Sequence, residues 1–182
     1  MQIIDRPIKI ERSVYDKTIK KIVSDLSKEK CVLSLYQLGN VKHPGISDID
    51  LLVIFRDKFI YKGDPLKNLT ANERYLFPHR LFGIKNKFLT LSMDFSFFSN
   101  YKYLYGEKIS TTNKLNDKDK TILKNQIAME YLIKNYIGLT VQIEYKILKL
   151  RALLLEANAV KFDLEFLNIK NQKINQLVDE LV

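Results

Sequence analysis

Asp48 and Asp50, one residue apart at the head of an apolar run, are the residues of this chain best placed to do chemistry. They close the segment Gly39-Asn40-Val41-Lys42-His43-Pro44-Gly45-Ile46-Ser47-Asp48-Ile49-Asp50 and lead into Leu51-Leu52-Val53-Ile54-Phe55. Side chains alternate along a strand, so both aspartates point to one side, roughly 6.5–7 Å apart at Cα, while Ile49 and Leu51 point to the other. Two carboxylates aimed together repel unless a cation neutralises them. Divalent cations, ~4 Å apart in two-metal sites and gripping phosphate oxygens, meet that requirement. The spacing suits a metal clamp for phosphoryl or nucleotidyl transfer. The plainer alternative is an exposed strand start with two solvated carboxylates.

The elements that must position this pair are legible on either side of it. Ile19, Ile22, Val23 and Leu26 recur at helical spacing, with lysines on the remaining face, and predict a helix over 14–28. Val32–Leu38 reads as a strand, Gly39-Asn40 as a turn and Ile49–Phe55 as a second strand. Gly63-Asp64-Pro65 is turn chemistry, and Thr70-Ala71-Asn72-Glu73 has the spacing of a capping box opening a short helix that ends near Pro78. Over 88–98, Leu89, Leu91 and Met93 alternate with Thr90, Ser92 and Asp94, which predicts another strand. Asp94 is the one carboxylate there, and an aspartate is unfavourable in a strand, so its presence asks for a reason, of which an exposed strand face is the plainest. From 116 to 157 the chain reads as helical almost throughout, with Tyr136, Thr140, Ile143, Ile147, Leu150 and Leu154 as one packing seam. Gly138 marks either a break or a close helix crossing, and a last helix is expected over 162–181.

Helix, strand, Gly-bearing turn, then Ser47-Asp48-Ile49-Asp50-Leu51 in an apolar strand resembles the nucleotidyltransferase superfamily. That superfamily includes DNA polymerase beta, kanamycin nucleotidyltransferase and the minimal prokaryotic nucleotidyltransferases. The likeness covers about the first half of the chain and rests on about a dozen positions. It implies an α+β fold: a small mixed-sheet nucleotidyltransferase core with helices over 1–113, followed by a C-terminal helical bundle over 114–182. It also implies Mg²⁺ or Mn²⁺ held by Asp48, Asp50 and a third carboxylate on a later strand, the position for which Asp94 is the candidate.

In the resembled chemistry an acceptor hydroxyl or amine attacks the α-phosphorus of an NTP, here expected to be ATP, and pyrophosphate leaves. The acceptor is an RNA end, a protein side chain or a small molecule. Gly39, Asn40, Lys42 and Ser47 fall where the family holds the triphosphate. Asn40 stands in place of the usual Ser or Gly, and its amide can still donate a hydrogen bond. Ser47 can equally serve as a turn cap, and Lys42 as a solvated loop lysine. A second class stays open: a catalytically weak or inactive member of the fold, antitoxin-like or regulatory. Such a member would bind a partner protein, or a second copy of itself, through the C-terminal helices.

Composition narrows the remaining choices. Of 182 residues, 46% are hydrophobic and 28% charged, the balance of a folded globular chain and not a disordered one. No apolar run approaches the ~20 residues that span a bilayer. The amino-terminal residues lack a signal-peptide layout, so the expected location is the cytoplasm. Cys31 is the sole cysteine and reads as a small buried apolar residue. The net charge is +9, and residues 56–87 hold eight basic against three acidic residues. They are either a solvated surface or a basic wall toward a triphosphate or nucleic acid. His43 and His79 are the only histidines and stand apart from Cys31, so no zinc site is expected. No P-loop or dinucleotide-binding glycine motif occurs. Tyr101, Tyr103 and Tyr105 alternate with Lys102 and Leu104, either as packing or as a base-stacking platform.

Overall fold

The computed structural model describes residues 1–89, 101–108 and 116–181. Asp94 and the strand expected through residue 98 lie outside the described residues from position 90 onward. The chain divides into two compact units, one of residues 9–114 and one of residues 1–8 with 115–182. No helix is long and apolar enough to cross a membrane among the described residues.

The unit of residues 9–114 is mixed α/β. Its first helix, α1 (Arg12–Leu26), buries Tyr15, Thr18, Ile19, Ile22 and Leu26, a single stripe at steps of three and four. Strands β2 (Val32–Leu38), β3 (Asp50–Phe55), β4 (Phe82–Lys85) and β5 (Tyr101–Gly106) form one sheet in the order β4-β3-β2-β5. The sheet is mixed: β2 runs antiparallel to β3 and β5, whereas β3 and β4 are parallel.

Both faces of β2 and β3 are covered, which is why their sequences are nearly unbroken apolar runs. On one face Leu35, Ile49, Leu51 and Val53 pack with α1 and with Leu76 and Phe77. On the other, Leu33, Tyr36, Leu38, Leu52 and Ile54 pack with Leu89. Cys31 is buried beside the first cluster.

A short helix, α2 (Ala71–Tyr75), carries the capping box its sequence announces: Thr70 Oγ1 accepts from the Glu73 amide and the Glu73 carboxylate accepts from the Thr70 amide. Glu73 also takes Lys21 Nζ at 2.9 Å. These bonds hold its carboxyl below the usual range, the Thr70 amide first and Lys21 next. Phe88 and Leu89 depart from expectation. Asn86–Phe88 is a 3₁₀ turn with Leu89 in the right-handed helical region, so no strand begins at 88. Tyr101 and Tyr103 meet the Tyr36 ring edge-on and Tyr105 donates to Ser27 O, while all three side chains stay exposed.

The second unit pairs β1 (Gln2–Ile4) with β6 (Ile147–Lys149) in parallel. Residues 1–8 therefore cluster with the C-terminal helices, although the division drawn from sequence placed them in the first domain. The long helical run is broken once: α3 (Asp117–Glu144) ends, Lys146 turns at φ 55°, and α4 (Leu150–Phe166) starts after β6. The seam expected from Tyr136 to Leu154 is overturned by that turn, which resets the helical phase. Tyr136 and Ile143 are exposed while Leu154 is buried, and α3 instead buries Ala128 and Asn135. Gly138 lies within α3, and a Cβ there would meet nothing within 4 Å, so it marks neither a break nor a close crossing. The last helix begins later than expected, as α5 (Gln172–Leu181) after a turn through Asn168 at φ 57°.

Candidate metal centre

Three features of the chain before β3 fix where its first carboxylates sit. Gly39 leaves β2 at φ +61°, a left-handed conformation that glycine adopts without strain. A Cβ there would meet nothing within 4 Å, so the need for glycine is conformational and the space beside it is open. The loop is then pinned from α1: Tyr15, 1% exposed, accepts from the Gly45 amide at 2.9 Å and donates to Ser47 O at 2.8 Å. Tyr75 OH donates to Gly45 O at 2.7 Å, and Arg12 donates to Val41 O at 3.0 Å. Three long side chains thus satisfy backbone groups of a loop that has no sheet partners of its own.

Ser47 is part of this scaffold. Its Oγ accepts from the His43 amide at 3.0 Å and its own amide donates to His43 O at 2.8 Å, closing the turn before the aspartates. Asn40 and Lys42 are exposed on the same loop. Asp48 precedes β3 and Asp50 is its first residue, paired with Leu38 of β2. Ile49 between them is 1% exposed and anchors the pair, its amide donating to Leu76 O.

The residue that sequence reasoning left out is His79. It lies in the bend after Pro78 and just before β4. Leu52 of β3 is level with Phe82 of β4, and the strands are parallel, so extending that register backward brings residue 79 level with residue 49. The imidazole Nε2 stands 2.7 Å from Asp50 Oδ1 and 3.6 Å from Asp48 Oδ2. Its ring also lies against Phe82, with centroids 5.0 Å apart. One ligand atom from each of Asp48, Asp50 and His79 lies within 4.8 Å of the others, which makes a possible metal-binding triad.

The protonation of this ring follows from its neighbours. Nδ1 is 2.7 Å from Arg80 O, an oxygen that can only accept, so Nδ1 carries a proton. Nε2 faces carboxylate oxygens and carries one as well. His79 is thus an imidazolium balancing two carboxylates. Hydrogen bonding to Asp48 and then to Asp50 pushes its pKa up to about 10, against the opposing effect of burial. By distance, Asp50 is the closer partner of the two.

The other site residues named from sequence divide as follows. Asp48 and Asp50 converge; Gly39, Asn40, Lys42 and Ser47 share the loop that leads to them; Asp94 lies outside the described residues. Several basic residues of 56–87 serve local structure. Arg56 pairs with Glu107 at 3.2 Å, Lys85 reaches Asp57 O, and Arg74 donates to Leu66 O. The only signal that could have found His79 was its place after a proline and before a strand, and nothing in its sequence neighbourhood links it to residue 50. Comparison of the chain with protein-family models, with curated proteins and with solved structures yields no match.

Proposed function

We propose that this protein is a metal-dependent nucleotidyltransferase, moving an NMP from an NTP, with ATP the expected donor, to a hydroxyl or amine acceptor. The observation that carries this reading is the convergence of Asp48 and Asp50 at the start of a strand, directly after a pinned loop that begins at a left-handed glycine. The two carboxylates offer the oxygen ligands that Mg²⁺ or Mn²⁺ takes, so the residues present fit such an ion. Such an ion, when bound, would neutralise triphosphate charge and polarise the phosphoryl group.

The chain's own residues do the rest. Asp48 and Asp50 hold the cation from one side, and Ile49 keeps them in place from the core. Gly39 leaves room for phosphate oxygens to approach the backbone, with Asn40 and Lys42 as donors to them. Ser47 acts by positioning the loop. The acceptor oxygen or nitrogen forms a bond to the α-phosphorus as the bond to the bridging oxygen breaks. Pyrophosphate departs with that electron pair, and the acceptor's proton passes to a base. Asp94, by its place in the sequence, is the proposed third carboxylate and base.

Calorimetric titration with ATP tests the reading. Mg²⁺ or Mn²⁺ should strengthen binding, and Asp48→Asn with Asp50→Asn should abolish the gain while the protein stays folded. Equal ATP affinity with EDTA and with metal, in both proteins, would refute it. Pyrophosphate release with candidate acceptors then identifies the substrate class.

A second reading, a partner-binding protein with weak turnover, rests on a different observation. Ile122, Met129, Ile133, Tyr136 and Ile137 recur on one arc of α3 and are all exposed. On this reading the exposed arc packs against a second copy of this chain. Sedimentation should then show a dimer that Ile133→Glu dissociates, and a monomer at all concentrations removes this reading.

A further inference from the structure

We infer that His79 is the third protein ligand of the Asp48/Asp50 cation, through Nε2, and that the centre therefore selects imidazole-accepting divalent cations such as Mn²⁺, Co²⁺ or Zn²⁺ over Mg²⁺. The inference rests on reading Asp48 and Asp50 as a metal clamp. It differs from the carboxylate-only set that the sequence resemblance implies.

Three observations carry it. The first is proximity: the imidazole and both carboxylates present ligand atoms within 4.8 Å of one another. Ligands bound to such ions at ~2.1 Å stand roughly 3–4 Å apart, so small side-chain rotations close the cluster. The second is the bond at the far side of the ring, outside the cluster. Nδ1–H donates to Arg80 O at 2.7 Å. A ligating histidine characteristically donates its other ring N–H to a carbonyl, which fixes the tautomer and aims the free nitrogen at the metal. Here that bond fixes Nε2 as the nitrogen facing the aspartates. The third is the frame. Parallel pairing of β4 with β3 and the packing of the His79 ring on Phe82 hold the imidazole level with residues 48–50 without help from any ligand.

The chemistry of ligation is simple. Nε2 gives its lone pair to the cation, and the proton it carries leaves to solvent. Mg²⁺ is a hard cation that takes oxygen ligands and keeps its water, so it gains little from an imidazole. Mn²⁺, Co²⁺ and Zn²⁺ accept one readily, with affinity rising from Mn²⁺ to Co²⁺. The same two carboxylates therefore bind Mg²⁺ through oxygen alone but bind the transition ions through three residues.

The chain's two histidines make the test clean. The full-length protein is titrated with Mg²⁺, Mn²⁺, Co²⁺ and Zn²⁺ by calorimetry at fixed pH, beside His79→Gln and the Asp48→Asn/Asp50→Asn double variant. In wild type, Co²⁺ should bind at least tenfold more tightly than Mg²⁺. In His79→Gln, Co²⁺ affinity should fall about tenfold or more while Mg²⁺ affinity moves by less than about threefold. A second measurement does not depend on the variant folding. In ¹⁵N spectra of wild-type imidazoles, assigned with His43→Gln, Zn²⁺ should shift His79 Nε2 strongly, Mg²⁺ should leave it in place, and His43 should not respond.

If all the cations bind with similar strength, lose binding in the double variant and leave the His79 ring unchanged, the inference is overturned while the clamp reading stands. If no cation binds, or the double variant binds as wild type does, both fall.

Discussion

Replacing His79 by Gln tests the charge arrangement at the aspartate pair without any nucleotide. In the metal-free protein the imidazolium is the cation that offsets Asp48 and Asp50 at 3.6 and 2.7 Å. The rise of its pKa from 6.5 to about 10 corresponds to on the order of 5 kcal/mol if taken at face value. The imidazole is 39% exposed and the carboxylates 22% and 33%, so solvent screening reduces this to about 1–2 kcal/mol. A unit of about a hundred residues shifts its Tm by roughly 4–8 °C per kcal/mol, so the variant should melt about 4–16 °C lower near pH 6.

The folded-state pKa lies above the unfolded value. The contribution is therefore fully present below pH 6.5 and is lost as pH rises through about 10. Thermal melts of both proteins in EDTA at pH 6, 8 and 10 should show the difference shrinking toward zero. Other titrating groups affect both proteins alike and cancel in the difference. A gap that stays constant from pH 6 to 10, or one that widens, would refute the reasoning.

Tyr15→Phe deprives the buried Gly45 amide and Ser47 carbonyl of their phenol partner, so it should cost about 1–3 kcal/mol in urea denaturation. It should also weaken divalent-cation binding by loosening the loop, and unchanged values in both assays would remove Tyr15 from the scaffold. Ser34 is 0% exposed, and its hydroxyl has no hydrogen-bond partner among the described residues. Ser34→Ala should be neutral or up to about 1 kcal/mol more stable, and a clear loss of stability would contradict this.

Asp163 is 7% exposed, and burial pushes its pKa up to about 6 from 3.8. Its contribution is present below pH 3.8 and lost as pH rises through 6, so the ionised group weakens the fold at neutral pH. Asp163→Asn should add on the order of 2 kcal/mol at pH 8 and almost nothing at pH 4, as read by melts at the two pH values. Equal gains at both pH values would show that the carboxyl is not titrating there.

Local rules alone determined much of this protein. The stripe through Ile19, Ile22 and Leu26 specifies α1 because a helix must bury one face, and the apolar runs of β2 and β3 specify strands covered on both sides. The capping box at Thr70 and Glu73 starts α2 through two bonds that span only three residues. Gly39 and the Asp48/Asp50 pair were legible for the same reason, since a left-handed turn and a two-residue side-chain period are properties of a short stretch of chain.

Only the tertiary structure decided the rest. The parallel pairing of β3 with β4 joins His79 to Asp50 across twenty-eight intervening residues, and no local pattern encodes that register. Nothing local in the sequence links Tyr15 or Tyr75 to the loop before β3, yet their hydroxyls pin that loop because α1 and α2 face it. Similarly, the break after Glu144 escapes periodicity, because the turn at Lys146 resets the helical phase and lets β6 find β1 at the other end of the chain. Short-range geometry determines which residues form helices, turns and strands; which distant side chains meet at a site depends on strand pairing and packing, and these are settled only when the whole sheet forms.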